Sequence, residues 1–314
     1  MITVPYGDAM TTSVNEPLLL SDADVRAHLS AERTVAAIRS ALVEHHQGTL
    51  HAPARAHAEL GDGALVFTVG RLAGQGVFGF RAYDTFVGAE QLVALWSEQD
   101  ASLRAVVHGR ELGNRRTGAI GAVAADLLAK PGPVRVGLFG TGLQAWTQLW
   151  ALTAVRPVTE VLVQSRNPAN AEAFAARARA ELGVEIRPAG SPEEAARERD
   201  VVITATNSST PVLEAEWLAP GTHLTTLGPK FAQHHEIPVE LAERGEVFCT
   251  DSLAQLNGYP DPHLFAGKPM AQLGALAAGD APGRTSADQV TVFCSVGLAG
   301  TEVAVAAALV EALG

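Results

Sequence analysis

The stretch Val134-Arg-Val-Gly-Leu-Phe-Gly-Thr-Gly-Leu-Gln-Ala145 holds a short apolar, β-branched run followed at once by a glycine-rich turn. Residues 134–139 read as a buried strand, and the run from Leu143 through Trp150 reads as a helix. Between them stands Gly140-Thr141-Gly142-Leu143-Gln144-Ala145, a GxGxxA pattern in the strand-to-helix context that gives it meaning. Gly140 permits the tight turn, Gly142 lets the backbone approach a pyrophosphate, and Ala145 lets helix and strand pack closely, with the helix N-terminus facing the phosphate charge. No Lys-Ser/Thr pair follows, so the turn is not a nucleoside-triphosphate loop. Residues 140–145 are therefore expected to hold a dinucleotide.

Downstream, a strand over 160–164 leads into Asn167-Pro-Ala-Asn, an N-capping sequence for a helix over 171–182. A helical segment at 192–197 and strands at 200–205, 223–227 and 246–249 follow. Strands alternating with helices over 134–251 imply βαβ crossovers and a parallel sheet. Upstream, Val35, Ile38, Leu42 and Val43 recur at helical spacing within 30–47, and the β-rich runs between residues 52 and 107 predict an antiparallel sheet. The tail adds a strand at 289–294 and an alanine-rich helix over 297–313, apolar enough to need the N-terminal sheet or a second subunit as partner. The expected fold class is α/β, with a Rossmann-type domain (128–289) inserted in an α+β domain made of 1–127 plus 290–314.

The 314 residues are 47% hydrophobic and 18% charged, which excludes a disordered polyelectrolyte. Lys and Arg total 23 against 34 Asp and Glu, and the net charge of −11 argues against a nucleic-acid or anionic-membrane surface. The two cysteines, Cys249 and Cys294, form no CxxC, so neither a disulfide framework nor a thiolate metal site is expected, and the reading is cytoplasmic. The first sixteen residues show no basic segment followed by an apolar stretch, and Asp126, Glu302 and Glu311 interrupt the alanine-rich helices, so neither export signal nor membrane span is expected. The paired histidines 45/46 and 234/235 lack HExxH spacing, and no metal is expected.

Cofactor choice is expected at the end of the second strand of the parallel sheet, where a carboxylate would favour NAD by accepting hydrogen bonds from the ribose hydroxyls. Ser165, Arg166 and Asn167 stand there instead. With no acid present and Arg166 able to bond a 2′-phosphate, NADP(H) is favoured and NAD(H) is the alternative.

Arg116-Thr-Gly-Ala119, the 140–145 turn, Ser165-Arg166, Asp200-Val-Val-Ile-Thr-Ala-Thr206, Pro211-Val-Leu213, Gly221-Thr-His223 and Phe293-Cys-Ser-Val-Gly-Leu298 occur in an order and spacing that resembles the ornithine cyclodeaminase/μ-crystallin family over nearly the whole chain. The resemblance implies a homodimer whose N-terminal domain supplies substrate contacts and the dimer interface, beside a Rossmann domain for a nicotinamide cofactor. It implies hydride transfer between an amine carbon and its imine on an amino- or imino-acid substrate, but fold alone does not choose among the family's reactions. Carried over by position, Arg55 and Arg116 are the implied substrate-carboxylate residues, and Thr117, Ala205, Thr206, Asn207, Leu227, Ser295 and Gly297 are implied cofactor contacts.

Two positions depart from the family pattern. Arg81 replaces the lysine of Gly-x-Lys, and Lys230 replaces the catalytic aspartate that follows the Gly-Thr-His strand. A lysine crowded by Arg55, Arg81 and Arg116 would have a lowered pKa and serve as acid or base, or else hold a second anionic group. Asp84, His234 and His235 are weaker proton-transfer candidates. The expected function is an NAD(P)H-dependent oxidoreductase acting on the C–N bond of an amino acid or its imine. The alternatives are an ornithine-cyclodeaminase-like lyase with recycled NAD, put in doubt by the missing aspartate, and a non-catalytic ligand-binding protein of the μ-crystallin type.

Overall fold

The computed structural model describes residues 16–86 and 90–314, so the N-terminal stretch read above for an export signal lies, up to residue 15, outside them. Two sheets organise the chain. The first runs in the order Leu18–Leu20, Leu103–His108, Gln91–Ser97, Val77–Asp84, Ala64–Leu72 and Leu50–His51, with Ala56–Glu59 also paired to Ala64–Leu72. Its long strands are antiparallel as expected, but Leu18–Leu20 joins parallel to Leu103–His108. Along Ala64–Leu72 buried residues alternate with more exposed ones, the pattern of a sheet with one covered face.

That face is covered by the helix Thr301–Glu311, against which Ala31–His46 and Glu111–Leu128 pack in turn. The last is buried at every position from Thr301 to Leu309, which is why its sequence is apolar all round. The partner surface that the tail requires is thus the N-terminal sheet of its own chain.

The second sheet is wholly parallel, in the order Ile186–Pro188, Val158–Gln164, Val134–Phe139, Val201–Thr204, His223–Thr226, Thr291–Cys294, Val247–Thr250 and Ala271–Gln272. One expectation is corrected here. The strand Thr291–Cys294 is not part of the N-terminal unit, as a boundary at 290 would have it, but lies between His223–Thr226 and Val247–Thr250. All four of its residues are buried, as an interior strand of a sheet covered on both faces requires. The chain returns to the first sheet only after Cys294.

The two halves meet where Glu111–Leu128 crosses Leu143–Leu152, the helix that follows the glycine turn. A Cβ at Gly118 would overlap the Thr147 carbonyl, and one at Gly121 would overlap the Gln148 side chain. Gln148 Nε2 donates to the Thr117 carbonyl at 3.0 Å across the same crossing. Among the described residues no helix is long and apolar enough to cross a membrane.

Candidate active site

Strand order reverses beside Val134–Phe139, and there, at the carboxyl ends of the parallel strands, a cavity of about 820 Å³ opens. Its walls include residues 140–144, 165–167, 205–207 and Leu227, which is most of the expected cofactor set. Ala145 lies beneath the turn, fully buried, while Thr117, Ser295 and Gly297 stand outside these walls. Gly140 has φ +112°, and a Cβ there would overlap the Ala205 carbonyl, so the turn is closed to any other residue. Gly142 differs: a Cβ there would meet nothing within 4 Å. Gly142 also caps its helix without a side-chain hydrogen bond, leaving the first N–H groups of Leu143–Leu152 to face the cavity. These are the features that a pyrophosphate needs, and they fit a dinucleotide at this place.

Asn167 Oδ1 accepts from Ala169 N at 3.0 Å and so caps the helix Pro168–Leu182, as its sequence predicts. Arg166 beside it is exposed and makes no hydrogen bond or ion pair among the described residues.

The arginines gather on the other side of the helix crossing. Arg116, on Glu111–Leu128, is 4% exposed and its Nη2 donates to Glu302 Oε1. Arg81, on Val77–Asp84, donates from Nη1 to the same oxygen at 3.0 Å and from Nε to Gln91 Oε1 at 2.9 Å. Arg55 Nη2 donates to the carbonyls of Val296 (2.9 Å) and Gly297 (3.1 Å). A Cβ on Gly297 would stand 2.7 Å from Arg55 Nη2 and 2.9 Å from Arg116 Nη1, so all three guanidiniums share one neighbourhood. The Nε groups of Arg55 and Arg116 and Glu302 Oε2 are buried without hydrogen-bond partners among the described residues.

Glu302 is the residue that sequence reasoning missed. It figured only as a charge interrupting an apolar helix, yet a lone carboxylate on a face that must be buried is itself a signal of a buried cationic partner. Burial alone would raise its pKa, but the Arg116 and Arg81 guanidiniums overcome that and hold it at about 2. Asp251 was missed as well. Its carboxylate accepts from Val296 N (2.9 Å) and Gly297 N (2.7 Å), fixing from below the loop whose carbonyls hold Arg55.

Lys230 is 5% exposed and sits apart from the arginines. Its Nζ donates to the carbonyls of Gly228 (2.7 Å) and Leu227 (3.3 Å), both at the cavity wall. Its pKa is lowered, as expected, but by burial rather than by neighbouring arginines; the charged or ionisable groups that face it are Cys294, Glu236 and Asp251. Lys230–Phe231 pairs with His234–His235, and His235 Nδ1 lies 2.7 Å from the Ile237 carbonyl. Asp84 caps a turn, Oδ1 accepting from Phe86 N at 2.9 Å.

Among known proteins, the chain is 32% identical over 218 residues to the ketimine reductase mu-crystallin of Mus musculus, covering 69% of this chain and 67% of that one. Matches to several curated relatives span 60 to 67% of the relative's length. The fold superposes on Δ1-pyrroline-2-carboxylate reductase of Thermococcus litoralis, solved with NADH and L-proline, with TM-score 0.84 at 26% identity, covering 94% of this chain and 97% of that one. It superposes equally on an archaeal alanine dehydrogenase dimer with bound NAD, TM-score 0.83 at 28% identity, covering 94% and 95%. A family model matches residues 15–313, and the chain belongs to the ornithine cyclodeaminase/mu-crystallin family.

Proposed function

We propose that the protein is an NAD(P)H-dependent oxidoreductase of the C–N bond, reducing an imino acid to an amino acid. The observation that carries this reading is the junction of two sites. A cavity with free helix N–H groups meets, across one helix crossing, a pair of guanidiniums with buried donors to spare. The described relatives include a reductase solved with a nicotinamide and L-proline.

The parallel-sheet unit would hold the cofactor through residues 140–144 and the Ala205–Asn207 and Leu227 walls, and the bound nicotinamide supplies a hydride. The other unit, completed by Thr301–Glu311, supplies the anchors. Arg55 and Arg116 take the substrate carboxylate, because each keeps an unpartnered Nε. Arg81 stands beside them and shares Glu302 with Arg116. Its Nε donates to Gln91 and its Nη1 to Glu302, while Nη2 has no acceptor among the described residues, so Arg81 keeps donors that shape which acid is accepted. Lys230, buried behind the Leu227–Gly228 turn of the cavity wall and donating to both of its carbonyls, is the nearest amine to serve as proton source for the imine nitrogen.

We assign NADP(H) over NAD(H) from Arg166, exposed and unpartnered at the place where a 2′-phosphate would lie. We also read the chain as a cytoplasmic homodimer. Both cysteines are free and buried. The outer face of the first sheet carries Phe78 and Phe80 stacked on Trp96, with ring centroids 5.8 and 5.7 Å away, an apolar patch suited to a second copy.

The test follows the near-ultraviolet absorbance of NADPH and of NADH with cyclic imino acids. Loss of the band, faster with NADPH by about tenfold, and an Arg166→Ala variant that removes that preference are the expected results. A flat trace with demonstrated cofactor binding would overturn the reductase reading. Ammonia release from ornithine would then establish a cyclodeaminase, and its absence a binding protein.

A further inference from the structure

We propose that Glu236 is the positioning residue of the cofactor cavity, its buried carboxylate setting the separation of the two loops that carry Thr206 and Gly228. The inference rests on reading that cavity as the dinucleotide site. The strands Val201–Thr204 and His223–Thr226 are paired in register up to Thr204 opposite Thr226. Past that pair one more bond forms, from Leu227 N to the Thr204 carbonyl at 3.0 Å, and residues 205–208 and 227–228 become cavity wall. Beyond it, no backbone hydrogen bond joins residues 205–208 to 227–228 among the described residues.

Glu236, fully buried, fills the split. Its Oε1 accepts from Thr204 Oγ1 (2.8 Å), Thr226 Oγ1 (2.9 Å) and Gly228 N (2.7 Å). Its Oε2 accepts from Thr206 N (2.9 Å) and Thr206 Oγ1 (2.7 Å). The two loops are thus tied to one carboxylate by five donors, with no cation in ion-pair range among the described residues. The Glu236 backbone joins the same parts, its N–H donating to Pro229 O at 2.8 Å and its carbonyl accepting from Val212 N at 2.9 Å. Gly228 has no room for a side chain, since a Cβ there would overlap the Thr206 carbonyl and lie 2.5 Å from the Glu236 carboxyl carbon. Lys230 grips the same turn from its carbonyl side.

Only an acceptor-only group can satisfy five donors. A glutamine of the same shape offers one acceptor oxygen and turns an NH₂ toward the remaining N–H and O–H groups. The loops would then move apart, and the residues at the cavity wall with them. The arginine cluster lies elsewhere and is untouched.

The test compares wild type with Glu236→Gln and Thr226→Val, using NAD(P)H titration by fluorescence, steady-state kinetics, and amide hydrogen exchange of the cofactor-free protein. Glu236→Gln is expected to raise the Kd and KM for NAD(P)H about tenfold or more while the imino-acid KM stays within about twofold, and to speed exchange at the Thr206 and Gly228 amides. Thr226→Val, which removes one donor and keeps the carboxylate, is expected to weaken cofactor binding by about twofold to fivefold. A folded Glu236→Gln protein whose Kd stays within about twofold of wild type would overturn the inference. Should that variant not fold, an unchanged Kd in Thr226→Val would do the same. Wild type binding neither nicotinamide would overturn this inference together with the proposed function, and that result is seen before any variant is made.

Discussion

The cofactor cavity and the arginine cluster satisfy their polar groups in opposite ways. The cavity is built from glycines, small side chains and backbone, and its N–H groups at the start of Leu143–Leu152 are left without protein acceptors. The arginine cluster is closed and already paired, Arg81 and Arg116 sharing one oxygen of a carboxylate that is 1% exposed. A ligand entering the cavity replaces water on waiting donors. A carboxylate entering the cluster must add itself to a formed ion pair, using only the donors that Glu302 leaves over. The cavity should therefore be sensitive to shape, and the cluster to charge.

Removing charge from the cluster has the greatest consequence. Arg116→Ala is expected to lower kcat/KM for the imino acid by about 10³-fold or more, since a bidentate carboxylate contact is lost and Glu302 keeps only one close cation. Cofactor Kd, measured by fluorescence titration, should stay within about twofold. Equal losses in both would show that the two regions are not separable. Adding one methyl group to the cavity tests its shape. Gly142→Ala meets nothing within 4 Å in the cofactor-free protein, so its melting temperature should match wild type, yet the methyl would fill the space that the pyrophosphate needs. Cofactor affinity is expected to fall by about thirtyfold, on the order of 2 kcal/mol.

The smallest effect is in the pH dependence of stability. The Glu302 pKa is held below its unfolded value, so its contribution is complete above the ordinary carboxylate range near 4.5 and is lost as pH falls toward about 2. Glu302→Gln should be less stable at neutral pH, and its denaturation midpoint should change less with pH across that window. A variant with the same acid dependence as wild type would remove Glu302 as counter-ion to the arginines.

The two regions were unequally legible in the sequence. Residues 140–145 and 165–167 are short, contiguous blocks whose glycines and caps have local causes, and the strand Val134–Phe139 falls where its pattern puts it. The cluster joins Arg55, Arg81, Arg116 and Glu302 from four distant segments, and no periodicity links them. Resemblance supplied the arginines as expectations, while Glu302 emerged only when Thr301–Glu311 docked on the first sheet. The strand Thr291–Cys294 was found by its apolar run, but its sheet was not, because a four-residue buried strand carries no label of its neighbours. Glu236 left no local sign either, since its five donors come from two strand ends and the loops that follow them.

The crossing at Gly118 and Gly121 bears on how the reaction would be timed. Helices in contact at glycine, with the Thr147 carbonyl against Gly118 and the Gln148 side chain against Gly121 and bonded to the Thr117 carbonyl, slide poorly past one another. The helix bearing Arg116 and the helix that opens on the glycine turn therefore behave as one stiff strut with a ligand site near each end. On the proposed function, registry between hydride donor and carboxylate anchor would be set when the chain folds, rather than restored by domain closure in every turnover.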